Sequence, residues 1–150
     1  MLNFLKGKLD DTVASFNTGV AKFKTRETAE AIVAIMTGVS FADGAFEPEE
    51  RKKMVQAFTK HQILSQFDFS VLKRKHDELV DVFDLDIDEG LVACLRELQD
   101  VVKAPQEQRE AILRAGVMLA KADGEFEEEE KAFLRRCAKT LGLDSAEYGL

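Results

Sequence analysis

Residues Ala42–Arg51 read ADGAFEPEER, and eighty residues later Ala122–Lys131 read ADGEFEEEEK. Seven of the nine positions from Ala42 to Glu50 recur identically, pairing Ala42/Ala122, Asp43/Asp123, Gly44/Gly124, Phe46/Phe126, Glu47/Glu127, Glu49/Glu129 and Glu50/Glu130. The register extends upstream, where Glu30-Ala31-Ile32 matches Glu110-Ala111-Ile112 at the same offset. Such self-similarity marks an internal duplication of a unit of roughly thirty residues. In the first copy Gly44 stands where a helix ends, because glycine takes the left-handed backbone of a C′ position without strain. Pro48 opens the next helix, where its missing N–H costs nothing. Each copy is therefore predicted as helix, tight corner, helix, with Ala29 to Phe58 expected to superpose on Arg109 to Ala138.

The helix before the first corner is expected over Glu27 to Ala42, with Ile32, Ile35, Met36 and Val39 on one face. The helix after it carries Met54, Val55 and Phe58. Residues 62–83 read as one or two helices through Ile63, Leu64, Phe67, Phe69, Leu72, Leu79 and Val82. In DVFDLDIDEGL the alternating acids do not make a calcium loop, since Leu95 stands where the twelfth-position glutamate belongs. Asp86 and Glu89 read instead as an N-cap and its capping-box partner, ahead of a helix through Leu91, Leu95, Leu98 and Val102. Pro105 separates that helix from two more, Gln106 to Ala122 and Glu127 to Leu141. In residues 1–26, Leu2, Leu5, Leu9, Val13, Phe16, Val20 and Phe23 form one apolar helical stripe. Its surface could be the body of the protein, a partner helix or an anionic membrane. The expected architecture is an all-α compact bundle of seven or eight helices with an internal pseudo-two-fold repeat. It divides into an N-terminal amphipathic segment, 1–26, and a helical domain, 27–150.

A chain of 150 residues buries about 68–70% of its unfolded surface in one core. Gly is sparse and there are two prolines, Pro48 and Pro105, as an all-helical protein requires. Cys94 and Cys137 belong to no CxxC pattern and lie in apolar helical stretches, so they read as small core hydrophobes rather than a redox or zinc pair. No run approaches eighteen apolar residues, and the chain is expected in the cytoplasm, where residues 1–26 either pack on the body, dock on a partner or make a peripheral contact to the inner face of the membrane. The net charge is −7. Lys6, Lys8, Lys22, Lys24 and Arg26 against Asp10 and Asp11 give residues 1–26 a charge of +3, so the remainder carries −7 − 3 = −10. That acidic body excludes nucleic-acid phosphate as a partner and suits cations or a basic surface.

The corners carry the chemistry. With Asp43 at position 5 of an EF-hand loop, Gly44 falls at 6, Phe46 at 8, Glu47 at 9 and Glu50 at 12, but Val39 and Phe41 occupy positions 1 and 3. Each corner is a truncated, hard-oxygen set, and oxygen donors without thiolate or imidazole favour Ca²⁺, Mg²⁺ or Mn²⁺ over Zn²⁺. The candidate metal residues are Asp43, Glu47, Glu49, Glu50, Asp123, Glu127, Glu129 and Glu130. The same glutamates would serve a helix N-terminus without any metal, through the dipole and a capping box. Capping does not explain Asp43 and Asp123, which place charge at the unfavourable C-terminal end of the preceding helix. His61 and His76 belong to no metal or catalytic motif and are expected to be solvated or capping. No phosphate loop, nucleophile elbow or paired base accompanies the carboxylates, so no enzymatic role is expected.

Taken together, the doubled FADGxFxxEE type corner, the central FDLDIDEG and the terminal LGLDSAEYGL resemble the tellurite-resistance TerB family over nearly the whole chain. The resemblance implies an all-α pseudo-symmetric fold and a cytoplasmic, non-enzymatic component of a tellurite or stress response. It further implies work as an adaptor beside other tellurite-resistance proteins, including a membrane-integral partner of the TerC type. The positions matching the family's metal-binding corners are Asp43, Glu49, Glu50, Asp123, Glu129 and Glu130. Glu47 and Glu127 stand at a more variable position.

Overall fold

The computed structural model describes residues 24–44, 46–121 and 126–150. The expected helix within residues 1–26 lies almost wholly outside them, as does Ala122–Glu125 of the second corner. Among the described residues the protein is all-α with no strand. Six α-helices are present there, α1 Arg26–Phe41, α2 Pro48–Lys60, α3 Phe69–Leu85, α4 Ile87–Leu98, α5 Gln106–Lys121 and α6 Glu128–Thr140. The seven or eight expected are reduced partly because residues 62–83 give one helix rather than two. Ahead of it stands only a short 3₁₀ turn, Leu64–Gln66, because Asp68 caps α3 by accepting the Ser70 N–H at 2.8 Å. A second 3₁₀ turn, Gln99–Val101, extends α4, and a third, Ser145–Tyr148, closes the chain.

A helix that is apolar all round has to be surrounded. The run Ala31–Phe41, which carries no charged residue, is of that kind, and α1 is the axis of the fold, packed against α3, α4, α5 and α6. The single apolar face expected for it is corrected: Ala31, Ile32, Val33, Ala34 and Ile35 are all fully buried, although they cover every side of the helix. Thr25 caps its start by accepting the Thr28 N–H, and Thr28 in turn accepts a 2.9 Å bond from Gln108 Nε2 on α5. Small residues let the neighbours approach. A Cβ on Gly38 would fall inside the Phe133 ring of α6, and one on Gly116 of α5 would strike Ile35. Cys94 of α4 and Cys137 of α6 are fully buried free thiols, as expected of core hydrophobes.

The helix bounds repeat. The span Arg26–Phe41 recurs as Gln106–Lys121, and Pro48–Lys60 as Glu128–Thr140, each shifted by eighty residues at both ends. The surroundings differ between the copies. Of α2 only Met54 and Phe58 are buried, whereas α6 buries Phe133, Leu134, Cys137 and Ala138. Consequently α1 and α6 belong to the centre, and α2 leans from outside on α3 and the 3₁₀ turn Leu64–Gln66.

Candidate functional site

The first corner is built from its aromatic residues upward. Ala42 closes α1, and Gly44, at φ +87°, turns the chain while its N–H returns to the Phe41 carbonyl at 2.9 Å. Phe41 stacks flat on Phe83 of α3 with centroids 4.2 Å apart, and Phe46 meets Phe41 edge-on at 4.7 Å. Arg51 of α2 lies over both rings, 5.4 Å from Phe41 and 5.8 Å from Phe46. The same guanidinium donates to the Phe46 carbonyl at 3.2 Å and pairs with Asp84 at 2.9 Å. Cation–π contacts of this kind contribute about 0.5–2 kcal/mol each, so Arg51 ties the corner to the end of α3.

With its aromatic side facing inward, the corner turns its carboxylates outward. Asp43, Glu47, Glu49 and Glu50 are all exposed. Glu47 is the N-cap residue of α2, with extended backbone and no side-chain cap bond, while Glu49 and Glu50 lie in the first turn where the dipole favours them. The start of α4 stands beside the turn, Ile87 reaching to within 3.9 Å of the position a Gly44 Cβ would take. Asp86 caps α4 as expected, accepting the Glu89 N–H at 3.0 Å. Among the described residues no three Asp, Glu, His or Cys side chains lie close enough together to hold a metal ion. The described carboxylates of the first corner thus form an acidic rim rather than a preformed coordination shell.

In the second corner Asp123 lies outside the described residues. Beyond it, Glu127 is the N-cap residue of α6, and Glu130 at N3 accepts its backbone N–H at 3.3 Å, one arm of a capping box. Glu127 and Glu129 are exposed and Glu130 is half-buried. Phe126 is flanked by two ammonium groups, Lys121 and Lys131, each 5.5 Å from the ring centroid. Lys131 occupies the repeat position of Arg51, and Lys121 that of Phe41. These basic partners were not among the residues singled out from sequence, although a cation directly after each Glu-Glu pair is visible in both copies.

The histidines separate. His61 is half-buried at the end of α2, where its Nδ1 accepts the Ile63 N–H at 3.1 Å, a local cap. The expectation for His76 is corrected: it is only 2% exposed, on the inner face of α3. Its Nδ1 lies 3.3 Å from Thr37 Oγ1, which itself donates to the Val33 carbonyl at 2.8 Å. Burial drives the His76 pKa down to about 4, so the ring is neutral at pH 7. No helix among the described residues is long and apolar enough to cross a membrane.

A family model described as tellurite resistance protein TerB matches residues 29–150. No curated protein and no solved structure matches the chain.

Proposed function

The chain belongs to the tellurite resistance protein TerB family, and from that premise we propose that it is a non-enzymatic cytoplasmic component of a tellurite-resistance or stress-response system. In this reading its acidic corners receive a positively charged surface of a partner protein, and the domain acts as an adaptor toward membrane-associated members of that system. The observation that carries the reading is the first corner's division of labour. Its aromatic rings and Arg51 face inward, and Asp43, Glu47, Glu49 and Glu50 are exposed on its outer side. A rim of like charge is poorly suited to self-stabilisation and well suited to a basic partner. The matched helix bounds and the Thr28–Gln108 hydrogen bond, which joins equivalent positions of the two copies, support a pseudo-two-fold duplication over 29–58 and 109–138.

The experiment uses Glu47→Gln, Glu49→Gln and Glu50→Gln together in a host whose tellurite resistance depends on this chain. Because the three are exposed, the variant should fold with a melting temperature close to the parent's while failing to restore growth on tellurite. Full restoration of growth by a stably expressed variant would remove the corner from the function.

A divalent ion, Ca²⁺, Mg²⁺ or Mn²⁺, is the second reading, favoured by Asp43, whose charge follows the C-terminal end of α1 where capping gives it no reason to be. Asp43, Glu47, Glu49 and Glu50, with Asp123, Glu127, Glu129 and Glu130, are the residues that would hold it. Oxygen donors this few imply weak binding, on the order of 10⁻⁵ to 10⁻³ M. At a hundredfold excess over Kd one site adds about 2.7 kcal/mol to stability, a rise in Tm of roughly 5–11 °C. Asp43→Asn with Asp123→Asn should abolish that rise. A parent Tm unmoved by millimolar concentrations of each of the three ions would leave the corners without a metal role.

A further inference from the structure

We propose that the first corner and α2, residues 46–60, form a hinged lid on the α1/α3 body, released when His76 takes up a proton. The seam beneath this lid is narrow and largely aromatic. His76 projects from α3 between Phe46 of the corner, 6.4 Å away at 89°, and Phe58 of α2, 5.6 Å away at 81°. On its other side it reaches Thr37 of α1. One imidazole thereby touches all the parts that the seam joins. Besides the imidazole, the lid is held by Phe46 on Phe41, by the Arg51–Asp84 pair at its rim and by Phe58 against Phe69. Of its thirteen helical residues, α2 buries two, and one of these, Phe58, is the ring against His76. Gly44, with its left-handed backbone, precedes the lid and supplies a pivot that no side chain stiffens.

Neutral His76 fits this seam, since Thr37 Oγ1 gives its own proton to the Val33 carbonyl and can accept one from Nδ1. A second proton adds a full charge to a ring that is 2% exposed and set between two phenyl rings, where charge is costly. The charged groups whose fields reach the ring do not rescue the cation. Arg51 of the lid and Lys73 of α3 oppose it, and Asp77 of α3 favours it. Arg51 is itself part of the lid, so protonation sets the lid's own guanidinium against the body. The docked ring titrates near pH 4 and a released, solvated one near pH 6.5. The opening equilibrium should therefore rise as pH falls through that window, approaching about 300-fold in the limit below pH 4. The lid carries Glu49 and Glu50, yet the inference rests on the seam and stands whether or not those carboxylates meet a partner.

Amide hydrogen exchange on the full chain, between pH 7 and pH 4.5 and corrected for the intrinsic pH dependence of exchange, tests the proposal. Residues 46–60 are expected to lose protection tenfold or more while Ala31–Met36 of α1 keep theirs. His76→Leu should flatten that pH dependence, because Thr37 stays bonded to Val33 without the imidazole. If this variant fails to fold, Phe58→Ala provides the second arm: it loosens the seam with His76 intact and should raise the pH at which the lid opens. Loss of protection at one common pH throughout the chain, or an unchanged lid midpoint in His76→Leu and Phe58→Ala, would overturn the proposal.

Discussion

Replacing Lys75 by methionine should weaken the fold far more than its charge alone suggests. Lys75 Nζ lies 2.8 Å from Glu97, 3.0 Å from Glu78 and 3.1 Å from Glu30, joining α1, α3 and α4 through one ammonium. Its side chain is 14% exposed, Glu30 is 14% exposed and Glu97 20%, whereas Glu78 is 55% exposed. Burial works against the charged amine, but hydrogen bonds to Glu97, Glu78 and Glu30 win, and the pKa of Lys75 rises above the usual lysine range. Methionine keeps the apolar stem and removes only the cation, leaving two poorly hydrated carboxylates side by side. Removing one partner of a fully buried pair costs about 3–5 kcal/mol. Glu30 retains Arg26, and the exposed Glu78 contributes at most about 1 kcal/mol, so a loss of roughly 2–3 kcal/mol is expected here. At this chain length that is a fall in Tm of roughly 4–12 °C.

The dependence on pH identifies the mechanism. Burial pushes the Glu30 carboxyl up, but the hydrogen bonds from Arg26 and Lys75 outweigh it and hold its pKa below the ordinary value. A carboxylate with a depressed folded pKa stabilises above its unfolded pKa, and that stability is lost as pH falls through the folded one. The parent should thus lose stability on acidification. In Lys75→Met the uncompensated carboxylates can instead relieve their repulsion by protonating, so the gap between the two proteins should narrow below about pH 5. Urea unfolding of both from pH 8 to pH 4 measures it, and Lys75→Met with Glu97→Gln should recover about half of the loss at pH 7. A variant within about 0.5 kcal/mol of the parent, with a parallel pH profile, would refute the reasoning and make the cluster an ordinary surface network.

Gly38→Ala should cost about 1–3 kcal/mol, because the added methyl falls in the Phe133 ring at the crossing of α1 and α6. Phe133→Leu should offset part of that loss in the double variant while being destabilising alone, a coupling that thermal unfolding of the four proteins would read. Cys94 and Cys137 should react with a disulfide reagent at pH 8 about a thousandfold more slowly in the native protein than in denaturant, since burial raises both thiol pKa values well above the working pH. Fast labelling of either in the native state would place it outside the core.

Helix positions were legible in the sequence because they are local. Asp86 caps the helix that follows it, Pro48 opens α2 and Gly44 takes the left-handed turn, as read from the sequence, and Thr25 and Asp68 are caps of the same local kind. Each of these depends on neighbours within four residues, where backbone propensity and capping act. The acidic residues of the first corner were legible for the same reason, and their exposure follows from charge. What α1 faces was not legible. A sequence such as AIVAIMTGVSF is compatible with one buried face or with burial all round, and only the presence of α3, α4, α5 and α6 on every side decides it. The peripheral position of α2 and the central one of α6 were hidden too, since stretches of matching sequence meet different neighbours. His76 beside Thr37, Lys75 between Glu30 and Glu97, and Gln108 on Thr28 join residues 39, 45, 22 and 80 positions apart. No periodicity encodes such pairs. They exist because the tertiary packing withdraws those polar groups from water and brings them within hydrogen-bonding reach of one another.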